Sequence, residues 1–265
     1  MKELATKIKR KLNASPALLK DYLYFRKIGK VPRYKNFKLR LLGHTIECID
    51  SASFLFMFKE IFRKEIYRFV SGKKNPVIID CGANIGLSVI YFKQLFPHAN
   101  ITAFEPDIKI FEVLKRNIDS FSYTDVLLIN KGLWNTDGKL NFFSEGADAG
   151  HIEANAAEAN ATIEVTRLRP FLNKQVDFLK IDIEGAEYTL LEDIKDLLHN
   201  VSNVFLEYHS YKNKQQILSD ILNILKEAGY RFYITTPGLV SAHPFIHIDV
   251  YEKMDMQLNI YCIRQ

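Results

Sequence analysis

The sequence predicts an α/β protein built on a doubly wound, mostly parallel sheet. Three observations carry that expectation. From residue 76 onward, short apolar runs alternate with segments of helical period, the pattern of parallel strands joined by crossover helices. The first run, in VIIDCGANIGLSVIYF (77–92), breaks at Asp80, turns through Gly82-Ala83-Asn84-Ile85-Gly86 and resumes with helical spacing. Strand, tight turn and helix are how such sheets open a nucleotide site. The second run, ITAFE, ends on Glu105, 19 residues after Gly86, where a carboxylate at a strand tip accepts from both hydroxyls of a ribose.

The elements follow in order. Residues 3–12 and 16–28 read as two basic helices separated at Asn13-Ala14-Ser15-Pro16, with Ser15 as cap and Pro16 as first helical residue. FKLRLLGHTIECID (37–50) alternates loosely and reads as a hairpin turning at Gly43-His44. SFLFMFKEIFRKEIYRFV (53–70) is an amphipathic helix. Strands are then expected at 77–80, 101–104, 126–130, 176–181 and 204–207, with helices over 88–96, 108–119, 186–199 and 213–228. Shorter strands fit 140–144 and 163–166, and further strands 231–235, 245–250 and 258–263. The last pair lacks an intervening helix and is expected as an antiparallel hairpin at one edge. GADAGHIEANAAEANA (146–161) has no clear period and reads as a loop or lid over the carboxyl edge of the sheet. Residues 1–70 are expected as a basic N-terminal extension with helices and a hairpin, and 71–265 as the domain that carries the nucleoside site.

Composition places the chain among ordinary globular proteins: 265 residues, 48% hydrophobic and 25% charged. No apolar run approaches the roughly 20 residues of a membrane span, and the lysine-bearing N-terminus is not a secretory signal. Cys48, Cys81 and Cys262 are too few and too scattered for a disulfide framework or a zinc site, which implies a reducing, cytoplasmic setting. The net charge of +5 is unevenly spread. Residues 1–40 hold thirteen Lys or Arg against two acids, a net of +11, so the other 225 residues sum to −6. A basic arm on a mildly acidic body suits an anionic surface as partner, or is a solvated helix face.

The first turn narrows the ligand. A dinucleotide fingerprint has three glycines, the middle one admitting the pyrophosphate. Here Asn84 holds that middle place between Gly82 and Gly86, and its Cβ would crowd bridging phosphates. The turn suits a nucleoside that lies on the backbone without them, such as S-adenosylmethionine.

VIIDCGANIGLSVIYF, ITAFEPD and VDFLKIDIEGAE together resemble the FkbM family of S-adenosylmethionine-dependent methyltransferases over roughly residues 76–210. FKEIFRKEIYRF (58–69), upstream, resembles the family's leading helix. The resemblance implies a class I, Rossmann-like sheet of seven strands with the last antiparallel. It implies a cofactor set of Asp80, Gly82, Ala83, Asn84, Gly86, Leu87, Glu105, Asp107 and Asp182, with Gly132, Leu133 and Trp134 beside the adenine. It also implies methyl transfer to oxygen, on a small-molecule or glycan hydroxyl. Where the family often has Leu-Asp-Asp ahead of the fourth strand, this chain has Leu168-Arg169-Pro170.

Methylating an alcohol requires alignment and removal of a proton. Asp182 and Glu184 follow one strand end, and Glu207 and His209 another; residues two apart in extended chain point the same way. If the strands are neighbours, all four converge where open α/β sheets bind ligands. His209 is the expected base, since imidazole accepts a proton near neutral pH, with Glu207 or Asp182 orienting it or taking the role. Glu184, Glu207 and His209 also face the acceptor. No spaced ligand motif assigns a metal. Two alternatives stand beside this reading. One is a nicotinamide-dependent oxidoreductase, disfavoured by Asn84. The other is a nucleic-acid methyltransferase, disfavoured because the basic arm lacks an interleaved stacking platform.

Overall fold

The computed structural model describes residues 25–146, 150–152, 157–238, 240–251 and 253–264. The first expected basic helix, most of the second and much of the basic arm lie outside the described residues.

A hairpin comes first, β1 (Phe37–Leu41) and β2 (His44–Cys48), with Leu41 opposite His44. Its turn is Leu42-Gly43, one residue earlier than the sequence suggested, and both residues are left-handed, φ 51° and 88°. That is the geometry a two-residue hairpin turn demands. Helix α1 (Ser51–Phe58) is capped by Asp50, whose carboxylate accepts from Ser53 N at 3.0 Å. It widens into a π-turn over Lys59–Arg63, where Lys64 N bonds back to Lys59 O. The helix was expected to reach 70. It stops short because Glu65 turns left-handed at φ 54°, which a helix does not continue through.

The main sheet has seven strands in the order β12-β13-β11-β10-β3-β4-β5. They are β3 (Val77–Cys81), β4 (Asn100–Phe104), β5 (Val126–Ile129), β10 (Val176–Ile181), β11 (Val201–Tyr211), β12 (Tyr230–Thr235) and β13 (Met254–Arg264). The first five are mutually parallel, and β13 runs antiparallel between β11 and β12. This is the doubly wound fold the sequence predicts. Alternation sorts the side chains between two faces. Ile78, Phe178 and Phe205 meet α1, α2 (Leu87–Leu95) and α3 (Ile108–Ser120) on one face. Ile79, Leu179 and Leu206 meet α4 (Glu187–Ile194) and α5 (Leu218–Glu227) on the other. The hairpin and α1 share the first of these cores through Leu39, Ile46 and Phe54.

A four-stranded sheet of order β6-β9-β7-β8 stands beside the carboxyl edge. It comprises β6 (Gly132–Leu133), β7 (Gly138–Phe143), β8 (His151–Ile152) and β9 (Ala161–Thr166). The segment expected as a loop or lid thus contributes β8. The strand expected over 245–250 is not formed. Ile246 N and His247 N both bond to His243 O in a turn beginning at Pro244, and Phe245 is fully exposed. Proline removes a ladder donor, and β12 already occupies the sheet edge. Strand β11 is longer than expected, and that added length carries His209.

Candidate active site

The site lies at the carboxyl ends of β3, β4, β10 and β11, which the sheet order brings side by side. At the end of β3, Gly82 N and Ala83 N bond to Phe104 O of β4, at 3.1 and 2.8 Å. Gly82 adopts φ 89°, and a Cβ there would meet the carbonyl oxygen of Asp182 at 1.9 Å. Only glycine lets the turns after β3 and β10 touch, and the cleft is built on that contact. Asn84 is left-handed, φ 48°, with its own Oδ1 accepting from Ile85 N at 2.7 Å; asparagine tolerates this conformation through such local bonds. Gly86 serves helix contact, since a Cβ there would press on Leu114 and Ile118 of α3.

Glu105 joins the two turns. Its carboxylate accepts from Asn84 N and from Asp107 N, each at 3.0 Å. Burial raises it to about 8 despite those two donors. Asp107 caps α3, accepting from Lys109 N at 2.8 Å. Gly82, Ala83, Asn84, Leu87, Glu105, Asp107, Gly132, Leu133 and Asp182 all line one cleft. Three expected cofactor residues do not. Gly86 faces α3, Asp80 lies fully buried beneath the turn, and Trp134 packs with Phe142, Ile163 and Val165 inside the small sheet. Trp134 fills that core because β6 lies against β9, whose apolar side chains draw it inward.

Beneath the cleft sits a lysine that the expected site did not include. Lys180, only 2% exposed, donates to Gly82 O at 2.8 Å and lies 3.2 Å from both Asp80 and Asp182. Burial alone would lower its pKa; Asp182 and Asp80 outweigh burial and hold it well above the ordinary value. Asp80 in turn accepts from Ser88 Oγ at the start of α2. One buried ammonium therefore ties strand β3, its turn and the end of β10 together.

The far wall gathers the residues expected for chemistry. Glu207 and His209 of β11 stand beside Asp182 and Glu184. His209 Nδ1 is 3.0 Å from Glu187 Oε1, a contact the sequence did not suggest. Its Nε2 lies 3.7 Å from Glu184 and Glu207 and 4.0 Å from Asp182. Glu184 accepts from Tyr211 OH at 3.2 Å, and Glu207 from Gln257. His209, expected as the base, lies under the cleft wall with Nδ1 engaged by Glu187, whereas Asp182, Glu184 and Glu207 form that wall. Burial would lower its pKa, but Glu184, Glu187 and Glu207 outweigh burial and raise it. Burial raises Glu207, and raises Glu184 to about 8 against the pull of His209.

The profile of the methyltransferase FkbM domain matches residues 80–232, more than half of the chain. The chain belongs to this FkbM methyltransferase family. The matched span of the FkbM domain begins at Asp80 and includes every cleft-lining residue of the β3, β4 and β10 turns. Three relatives are informative. Methyltransferase sdnD of Sordaria araneosa is 29% identical over 194 residues, 59% of this chain and 74% of the relative. Hexuronic acid methyltransferase AglP of Haloferax volcanii is 26% identical, covering 62% of this chain and 66% of the relative. The 31-O-demethyl-FK506 methyltransferase FkbM of Streptomyces tacrolimicus is 22% identical, covering 71% and 86%. Among solved structures, methyltransferase FkbM from Methylobacillus flagellatus superposes with a TM-score of 0.50 at 18% identity. That match covers 76% of this chain and 46% of the other; it bears on the fold. Membership places the FkbM domain among methyltransferases rather than nicotinamide oxidoreductases. S-adenosylmethionine is the family's methyl donor, and the cleft fits it: Glu105 offers acceptors for a ribose diol, and Asn84 stands where a pyrophosphate would need glycine. Among the described residues, no helix is long and apolar enough to cross a membrane.

Proposed function

We propose that this chain transfers a methyl group from S-adenosylmethionine to a hydroxyl of a glycan or another natural product. One observation carries the reading. A single cleft has the nucleoside carboxylate Glu105 among its lining and Asp182, Glu184 and Glu207 at its far wall. When bound, S-adenosylmethionine supplies a methyl carbon already activated by its sulfonium. The chain does the rest. Glu105 accepts from the ribose hydroxyls, with Asp107 beside it. Gly132 and Leu133 flank the base. The Gly82–Asn84 turn and Leu87 hold the amino-acid side, where Lys180 fixes Asp182. Asp80 and Gly86 act from beneath by shaping the turn, and Trp134 has no ligand role.

The acceptor hydroxyl lies against the far wall, and its proton passes to that carboxylate group. His209, under the wall and bonded to Glu187, positions Glu184 and Glu207. The names of AglP and the FK506 methyltransferase support sugar and natural-product acceptors and, for the second, transfer to oxygen. The basic residues of 1–40 remain a candidate contact for an anionic acceptor or surface.

The test is incubation with methyl-labelled S-adenosylmethionine and a panel of hydroxylated glycans and natural products. The expected product is a methyl ether, stable to mild base. Label recovered as a base-labile ester, or in RNA or DNA in preference to every hydroxylated acceptor, contradicts the proposal.

A further inference from the structure

Among the described residues, the far wall crowds Asp182, Glu184 and Glu207 around one imidazole, His209, with Glu187 behind it. Crowding carboxylates away from water is costly, and a doubly charged ligand would relieve it.

The geometry says where such a ligand sits. The Nδ1 of His209 is engaged by Glu187 at 3.0 Å, while its Nε2 is buried, has no hydrogen-bond partner among the described residues and points among three carboxylates. A carboxylate behind one imidazole nitrogen is the arrangement that orients a metal-ligating histidine. The remaining distances are too long for hydrogen bonds, 3.7 Å to Glu207 Oε1 and 4.0 Å to Asp182 Oδ1. They are close to what a shared cation requires, since ligand atoms each about 2.1 Å from a metal stand about 3.0–3.5 Å apart. Asp182, Glu207 and His209 each bring a ligand atom within 4.8 Å of the others'. Lys180 takes Asp182 Oδ2 and leaves Oδ1 toward the imidazole. Gln257 donates to Glu207 Oε1, the oxygen that faces His209, and so shares that atom's lone pairs with the cation.

We propose that Asp182, Glu207 and His209 bind one first-row divalent cation of the Mn²⁺ type at the acceptor end of the cleft. The imidazole disfavours Mg²⁺ and Ca²⁺, which take oxygen shells. The carboxylates, with no thiolate, disfavour soft metals. The cation displaces the Nε2 proton of His209, as metals do at histidine.

Its catalytic role rests on the methyl-transfer reading; the site itself does not. A hydroxyl lying on the cation becomes more acidic. Its O–H bond breaks and the proton goes to Glu184, which flanks the site. The oxygen's electron pair forms the new bond to the methyl carbon as the carbon–sulfur bond breaks. That second pair stays on sulfur, leaving a neutral thioether.

The test is Mn²⁺ titration of the full chain followed by electron paramagnetic resonance, with and without S-adenosylhomocysteine. Calorimetry of S-adenosylhomocysteine on each variant reports an intact fold and cofactor cleft. The expected result is one bound Mn²⁺ per chain, weakened about 30-fold or more in His209→Ala and in Glu207→Gln, and about 10-fold in Glu187→Gln. Free Mn²⁺ throughout the titration of the wild type overturns the proposal, as does unchanged Mn²⁺ affinity in folded His209→Ala and Glu207→Gln. If S-adenosylhomocysteine binds and Mn²⁺ does not, the cation site fails alone. If Mn²⁺ binds with the expected variant losses and S-adenosylhomocysteine does not, the cation site stands and the methyl-transfer reading fails.

Discussion

Lys180→Met is expected to cost about 3–5 kcal/mol of stability, the usual penalty for breaking a buried ion pair from one side. Lys180 is 2% exposed, and its ammonium touches Asp80, Asp182 and Gly82 O. Methionine fills much of the volume but leaves the fully buried Asp80 without its cation. That carboxylate must then take up a proton or draw in water, and either loosens the turn after β3. Denaturant unfolding measures the loss. The double variant Lys180→Met/Asp80→Asn separates this cause from a change of shape. Removing the stranded charge is expected to restore part of the stability, a coupling of the kind contacting residues show. A single variant within 1 kcal/mol of wild type, where about 3 is expected, would show that Lys180 does not hold the site together.

Gly82→Ala is expected to weaken cofactor binding about 100-fold or more. The left-handed backbone costs about 1–2 kcal/mol by itself. The larger effect is the added Cβ, placed 1.9 Å from the backbone oxygen of Asp182. Backbone cannot swing aside as a side chain can, so the turns after β3 and β10 must separate, carrying Asn84 and Asp182 with them. Gly43→Ala is the matched control. Its φ of 88° is nearly the same, but nothing lies within 4 Å of the new methyl. It is expected to lose about 1 kcal/mol of stability and leave cofactor binding unchanged. Calorimetric titration of S-adenosylhomocysteine into both variants reads the difference; equal behaviour would contradict the proposed contact between the turns.

Much of the fold was legible because parallel strands buried on both faces read as continuous apolar runs. VIIDC and VDFLKI are such runs, and both are central strands. The small sheet was only partly legible. β6 and β8 are two residues each, too short to show a period. At 245–250 the apolar residues suggested a strand, but Pro244 opens an exposed turn there instead.

The site divides in the same way. Asp182, Glu184, Glu207 and His209 were found because two-residue spacing at neighbouring strand ends is visible in sequence. Lys180 was read as part of a strand and given no role. Its signal was a lysine inside a run buried on both faces, which requires a partner. Glu187 looked like an acid in the first turn of a helix, and nothing local shows that it turns toward His209 on another strand. His209 was expected as the base from its residue type, whereas its contacts with Glu184, Glu187 and Glu207 arise only in the tertiary fold. Trp134, expected near the adenine, packs against the core of the small sheet, a contact that its local sequence does not show.

The most direct test of the methyl-donor cleft is calorimetric titration of S-adenosylhomocysteine into wild type and Glu105→Gln between pH 6.5 and 9, values chosen to bracket a group at about 8. The free carboxyl is protonated below that pH, and accepting from two ribose hydroxyls favours the carboxylate. Wild-type affinity is therefore expected to rise with pH and level off above about 8, with a proton released on binding. Glu105→Gln is expected to bind about 30-fold more weakly at the upper pH, the loss of charge-assisted hydrogen bonds worth about 2 kcal/mol, and to show no such rise. A folded wild type that does not bind, or a Glu105→Gln variant with wild-type affinity and pH dependence, would contradict the account.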